Sequence, residues 1–204
     1  MRVVVTAGDG QWEELTGSSP ETEWLRVEGP SFFSQHNNAD AFFNLNDDAA
    51  AHDYSALAKP VFINAVTPTL KEIDAPAHLL RINGWNGFLQ RPVWELAGVV
   101  DDNIRSIFVQ LNKKITLVAD EPGLVAARVI AMIINEAYFA LGDEVSTKTE
   151  IDTAMKLGTN YPHGPFEWVA VIGVKNIHAL LQKLCETDIR YQPAALLIKE
   201  APDQ

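Results

Sequence analysis

The residues that could do chemistry begin with a glycine pair. The apolar run Arg2–Thr6 leads into Gly8-Asp9-Gly10, and glycines so placed let a backbone approach a pyrophosphate at a helix N-terminus. Glu28 follows Gly8 by twenty residues, at the end of the next candidate strand, where a ribose-binding carboxylate belongs. Gly8, Gly10 and Glu28 are therefore the candidate cofactor-binding residues. The third glycine of such a loop would fall at position 13, which is Glu13, and the helix that should follow has barely two turns before Gly17-Ser18-Ser19-Pro20. Asp9, Glu13 and Glu14 surround the turn with negative charge. Each carboxylate within several ångström of a phosphate costs on the order of a kcal/mol at a surface-like dielectric, so the loop reads as an ordinary βα turn that disfavours a dinucleotide.

Other reactive side chains show no constellation. His36, His52, His78, His163 and His178 form no i,i+4 pair and no cluster with metal-ligand spacing, so no metal site is expected. Ser31, Ser34 and Ser55 lack a nucleophile-elbow context. Cys185, on an amphipathic stretch without a nearby base in sequence, reads as a core residue. As the single cysteine it precludes an intrachain disulfide and fits a reducing compartment, the cytoplasm by default. With 16 basic against 27 acidic side chains the net charge is −11, which repels nucleic acid and anionic bilayers alike. No signal-peptide pattern opens the sequence, and no apolar run approaches the ~20 residues needed to span a membrane.

The elements that must position these residues fall into two textures. Up to Ala119, candidate strands Arg2–Thr6, Glu23–Val27, Ala41–Leu45, Val61–Ala65, Leu79–Asn83 and Ile115–Ala119 are mostly bounded by Gly, Pro, Asn or Asp. They alternate with candidate helices His52–Ala58, Pro92–Ala97 and Asp102–Asn112, a pattern of largely parallel α/β sheet with short connections. After Pro122 the sequence is helical. Leu124, Val125, Val129, Ile130, Ile133 and Ile134 form a broad apolar face on a helix running to about Gly142. Thr147 with Glu150 makes a capping box for a second helix, and Asn176–Cys185 reads as a third.

DEPGLVAARVIAMIINEA from Asp120, EIDTAMKLG from Glu150 and YPHGPFEWVAVIG ending at Gly173 resemble, in order and at matching spacing, the helical C-terminal domain of the 3-hydroxyacyl-CoA dehydrogenases. Pro162, Gly164, Pro165, Phe166 and Gly173, with Asn135-Glu136-Ala137, match that family's packing residues. The resemblance implies an α/β plus all-α chain: a reduced Rossmann-like parallel sheet over residues 1–119, then, over residues 120–204, a helical dimerisation domain like the C-terminal domain of 6-phosphogluconate dehydrogenase. It also implies a family that oxidises the β-hydroxyl of an acyl-CoA with NAD. In that family a serine and an asparagine position the substrate, a histidine removes the hydroxyl proton, and a glutamate orients and charges the histidine.

Those positions have changed. FINAVTPTLKEI, from Phe62, keeps Asn64 but has Val66 at the serine position, and RINGWNGFLQRPVWELAG, from Arg81, has Asn86 at the histidine position and Gly98 at the glutamate position. In PGLVAARV the asparagine position is Ala127, beside a retained Arg128. Thr67 adjoins Val66, and Glu95 lies three residues before Gly98; on a helix it would share Gly98's face one turn earlier. An asparagine amide cannot accept a proton near neutral pH, so the base has no replacement. The expectation is a 3-hydroxyacyl-CoA dehydrogenase-like protein without turnover, acting as a binding, regulatory or partner subunit, with no cofactor and no measurable NAD binding at micromolar concentration. The alternative is an active NAD-dependent 3-hydroxyacyl-CoA or related 3-hydroxy-acid dehydrogenase using Thr67 or Glu95. A homodimer through the helical domain, an acyl-CoA-type ligand or a partner enzyme, and burial of Trp85, Trp94 and Trp168 complete the expectations.

Overall fold

A computed structural model of the chain describes residues 1–17, 19 and 21–201; Ser18 and Pro20 of the expected turn lie outside the described residues. The fold divides into two compact units, Met1–Leu124 and Val125–Gln204. The resemblance placed the change at Asp120, but Asp120 itself is tied into the first unit: its carboxylate accepts from the Leu70 and Lys71 amides and from Arg81.

The first unit is one seven-stranded sheet, ordered β2-β1-β3-β4-β5-β6-β7. Its strands are β1 (Arg2–Thr6), β2 (Glu23–Arg26), β3 (Ala41–Asn44), β4 (Val61–Asn64), β5 (Leu79–Ile82), β6 (Val93–Ala97) and β7 (Lys114–Leu117). All neighbours are parallel except β5 and β6, which pair antiparallel with Arg81 opposite Ala97. Every residue of β3, β4 and β5 is buried, as in strands covered on both faces. One face packs Val3, Val5, Phe43, Phe62 and Leu80 against Leu15 of α1 (Asp9–Thr16) and Ile104, Ile107 and Phe108 of α2 (Asp102–Gln110). The other face packs Val4, Phe42, Val61 and Ile63 against Phe33, Ala49 and Tyr54, from 3-10 turns and loops. The crossovers from β3 to β4 and from β4 to β5 contain no α-helix, although a helix was expected in the first of them.

Two expected helices are absent. His52–Ala58 is irregular after a 3-10 turn at Ala49–Ala51, and the Tyr54 hydroxyl is spent within that loop, accepting from Asn44 and donating to the Ala49 carbonyl. Pro92–Ala97 contains strand β6: Trp94 and Leu96 are buried and Val93 exposed, the alternation of a strand.

The second unit is helical: α3 (Ala126–Gly142), α4 (Lys148–Thr159), α5 (Pro165–Ile172), α6 (Val174–Cys185) and α7 (Ala195–Glu200). The capping box at Thr147 and Glu150 forms as its sequence predicted. Asn135, buried on α3, donates to the Gln192 carbonyl and accepts from the Ala194 amide, fixing the approach to α7. Tyr138 donates to Glu200 at 2.6 Å and Lys148 to the other oxygen of that carboxylate at 2.7 Å, which joins α3, α4 and α7. Trp168 is buried in this unit, and Trp85 and Trp94 are buried in the first.

Candidate functional site

In an open α/β sheet, ligands bind outside the carboxyl ends of the strands where the strand order reverses. Here the chain runs outward from β1 to β2 and returns on the other side of β1 as β3, so the reversal lies between β1 and β3. The turn after β1 is Ala7-Gly8-Asp9-Gly10, and Gly8 caps α1 in extended conformation. The expected glycine loop is therefore in the expected place.

One of its amides is already used. The Gly8 amide donates to Oε1 of Gln11 at 3.1 Å. The Gln11 Nε2 group donates to the Leu45 carbonyl at 2.5 Å, beyond the end of β3, and to the Gly84 carbonyl at 2.8 Å, beyond the end of β5. Asn64, at the end of β4, donates to the same Leu45 carbonyl and accepts from the Gly84 amide. A Cβ on Gly84 would stand 2.7 Å from that of Asn64, so only glycine allows this approach. Asn86 lies against Gly10, its Oδ1 3.3 Å from where a Cβ would be, and that oxygen is buried with no hydrogen-bond partner.

The acidic residues of the turn do not simply surround it. Asp9 pairs with Arg26 at 2.7 Å, and Arg26 also donates to the Ala7 carbonyl. Glu14 accepts from the Gly87 amide at 2.6 Å and the Leu89 amide at 3.2 Å. Glu13 and Glu28 are exposed. The expected repulsion at Asp9 is thus offset by Arg26, and Glu14 spends its charge on the β5–β6 loop. That loop is held from its far side too. The Leu89 and Arg91 carbonyls each accept from Trp94 Nε1 at 3.1 Å and from Lys113 Nζ at 2.8 Å. Burial pushes the Lys113 ammonium below the usual lysine range, against the opposing charge of Glu14.

At the positions expected to carry catalysis, Val66 is buried and Thr67 half-buried just beyond β4. The Val66 carbonyl accepts from Arg81 at 3.0 Å and from the Gly123 amide at 2.8 Å. Arg81 was not singled out in the sequence, yet it is fully buried and also binds the Ala65 and Glu121 carbonyls and Asp120. Burial draws its guanidinium down, and Asp120 pulls the other way. Gly98 has φ +132°, a backbone that side chains rarely adopt, so glutamate could not be restored there without strain. Glu95 does not share its face one turn earlier: it lies on strand β6, where three residues' separation reverses the side, and it faces away from the Trp94 and Leu96 packing. Ala127 is buried on α3 of the second unit.

Among the described residues no group of three His, Cys, Asp or Glu side chains could hold a metal ion. His52 lies 3.3 Å from Asp48, His163 lies 3.9 Å from Glu167, and His78 meets the Tyr54 carbonyl, none of them at the β1–β3 reversal. No helix among the described residues is long and apolar enough to cross a membrane.

An open, mostly parallel sheet with a glycine turn at its order reversal, followed by a five-helix unit, defines the class of dinucleotide-fold proteins with a helical C-terminal domain. Residues 123–201 match the family described as 3-hydroxyacyl-CoA dehydrogenase, C-terminal domain, and the chain belongs to the 3-hydroxyacyl-CoA dehydrogenase family. It is 45% identical over 94 residues to the 3-hydroxyadipyl-CoA dehydrogenase of Escherichia coli K12, covering 45% of this chain and 20% of that protein. Against a 3-hydroxybutyryl-CoA dehydrogenase of Clostridioides difficile it is 32% identical over 168 residues, covering 77% of this chain and 58% of that one. The chain thus spans less than two thirds of the length of these curated relatives. A crystal structure of the (S)-3-hydroxybutyryl-CoA dehydrogenase of Ralstonia eutropha matches 99% of this chain and 93% of that chain at a TM-score of 0.70, with 17% identity, a likeness of fold.

Proposed function

We propose that this 3-hydroxyacyl-CoA dehydrogenase-like chain carries out no dehydrogenation and serves as a binding, regulatory or partner subunit of acyl-CoA metabolism, without a resident cofactor. The observation that carries the reading is Asn86 at the family's histidine position. A carboxamide cannot take the hydroxyl proton, and loss of a general base alone forfeits on the order of 10²–10⁴ in rate. The surroundings support it: the residues at the turn do not fit a pyrophosphate, because the Gly8 amide is bonded to Gln11 and Asn86 lies against Gly10. An acyl-CoA-type ligand remains the substrate class to test, a homodimer through the helical unit the assembly, and the reducing cytoplasm the compartment that a single thiol fits.

A second reading, an active NAD-dependent enzyme, draws on the dehydrogenase relatives and on the half-buried Thr67. Acetoacetyl-CoA with NADH, followed at the nicotinamide absorbance band, separates the two. The proposal expects no turnover; turnover abolished by Thr67→Val or Glu95→Gln would overturn it.

A further inference from the structure

In a dinucleotide fold the helix after β1 presents its first amides to a phosphate. Here α1 faces the β5–β6 loop and is bonded to it at two levels. Gln11, in its first turn, both receives the Gly8 amide and donates to carbonyls beyond β3 and β5; Glu14, one turn on, takes the Gly87 and Leu89 amides. The partners lie 73 and 75 residues away in sequence, so these are long-range links. From the other side, Lys113 and Trp94 hold the carbonyls of Leu89 and Arg91.

We infer that Gln11 and Glu14 form an internal strap that ties α1 to the β5–β6 loop and closes the β1–β3 reversal, with the Gln11 carboxamide accepting the Gly8 amide that a phosphate oxygen would take. At Gly10 a Cβ would stand 3.3 Å from the Asn86 Oδ1, so glycine there leaves room for the chain's own carboxamide. The strap deepens the functional reading, since a closed reversal has no place for a dinucleotide. Its own content, however, is a set of internal hydrogen bonds that exist whether or not the protein turns over a substrate.

Hydrogen exchange of the full chain, read residue by residue by NMR, tests it. In Glu14→Ala the Gly87 and Leu89 amides lose protection by about tenfold or more, while the Ile104 amide, held by Asp101 at the start of α2, changes only as far as global stability does. In Gln11→Ala the Gly8 amide behaves likewise. Glu14→Gln, which keeps the shape and one acceptor, gives a smaller change at the same two amides and serves if Glu14→Ala does not fold. Gly87 and Leu89 exchanging as fast in the unmodified protein as in Glu14→Ala, or changing only in step with Ile104, would overturn the strap. Calorimetry on the unmodified protein addresses the functional reading separately. A micromolar NAD dissociation constant with Gly87 and Leu89 still protected sinks that reading and the closure of the reversal with it, leaving only the tie between α1 and the β5–β6 loop.

Discussion

Arg81 is the residue on which the first unit's interior turns. A fully buried guanidinium loses its hydration, and here the Asp120 carboxylate and three carbonyls replace it. Burial pushes the Asp120 carboxyl up, but the Leu70 and Lys71 amides and Arg81 outweigh it and hold the group below the usual aspartate range. The sign follows: a carboxyl whose folded pKa is depressed adds stability that is whole above its unfolded value, ~3.9, and is lost as pH falls through the folded one. Asp120→Asn leaves a buried positive charge without its counter-ion. We expect a loss of about 3 kcal/mol at pH 7, the low end for breaking a buried pair because the Asp120 side chain is 29% exposed. Urea unfolding at pH 7 and at pH 3 checks this. The gap between wild type and variant narrows at the lower pH, and an equal gap at both would show that Asp120 acts through shape alone.

Between elements, the sharpest constraint in the helical unit is where α4 meets α5. A Cβ on Gly164 would stand 2.4 Å from the Asp152 Cβ and 2.5 Å from its Cα, and Asp152 in turn accepts from the Phe166 amide in the first turn of α5. Gly164→Ala should therefore cost about 1–3 kcal/mol, since backbone cannot give way as a flexible side chain can. Gly158→Ala, on α4 with nothing within 4 Å, should be neutral or slightly stabilising. Similar unfolding midpoints for the two variants would remove the argument. No helix was expected between the one starting at Thr147 and Asn176–Cys185, although end signals for one are present. Pro165 as the first helical residue, Glu167 reaching back to the Gly164 amide and Gly173 at the far end are helix signals that mark α5, although its apolar run PFEWVAVI has no polar stripe to reveal a period. The six expected strands stood out because short β-branched and aromatic runs end in turn residues. β6 did not, because Pro92 before a short run matches a helix start as well as a strand edge, and only the alternation in Val93–Ala97 decides. Motif spacing assigns Val66, Asn86, Gly98 and Ala127 to the family's catalytic positions as an expectation. The roles of Gln11, Glu14 and Arg81 could not, since each is set by partners far away in the chain.

For the molecule as a whole, the unsettled surface is the face of α3. Val129 on α3 and Val125 at its N-cap are 50% and 52% exposed, on a helix that also buries Ile130 and Ile134. Beside them a hollow of about 450 Å³ is lined by Val129, Met132, Ile133 and Tyr191, with Arg128 and Glu136 at hand; an almost wholly apolar hollow of about 250 Å³ adjoins it at Ile133 and Glu136. Apolar side chains interspersed with Arg128, Arg190 and Glu136 suit a self-complementary contact, because a two-fold axis can set Arg128 of one copy toward Glu136 of the other. The expected outcome is a homodimer at micromolar concentration by light scattering. The same symmetry makes one substitution count twice: Val129→Glu places two carboxylates in the apolar centre, so it should give a monomer whose far-ultraviolet circular dichroism is unchanged. A monomeric wild type that forms a dimer only when mixed with a complete 3-hydroxyacyl-CoA dehydrogenase would move the same face from self-association to the partner-subunit role. A wild type that stays monomeric alone and in that mixture would leave the face without either occupant and sink the assembly proposal.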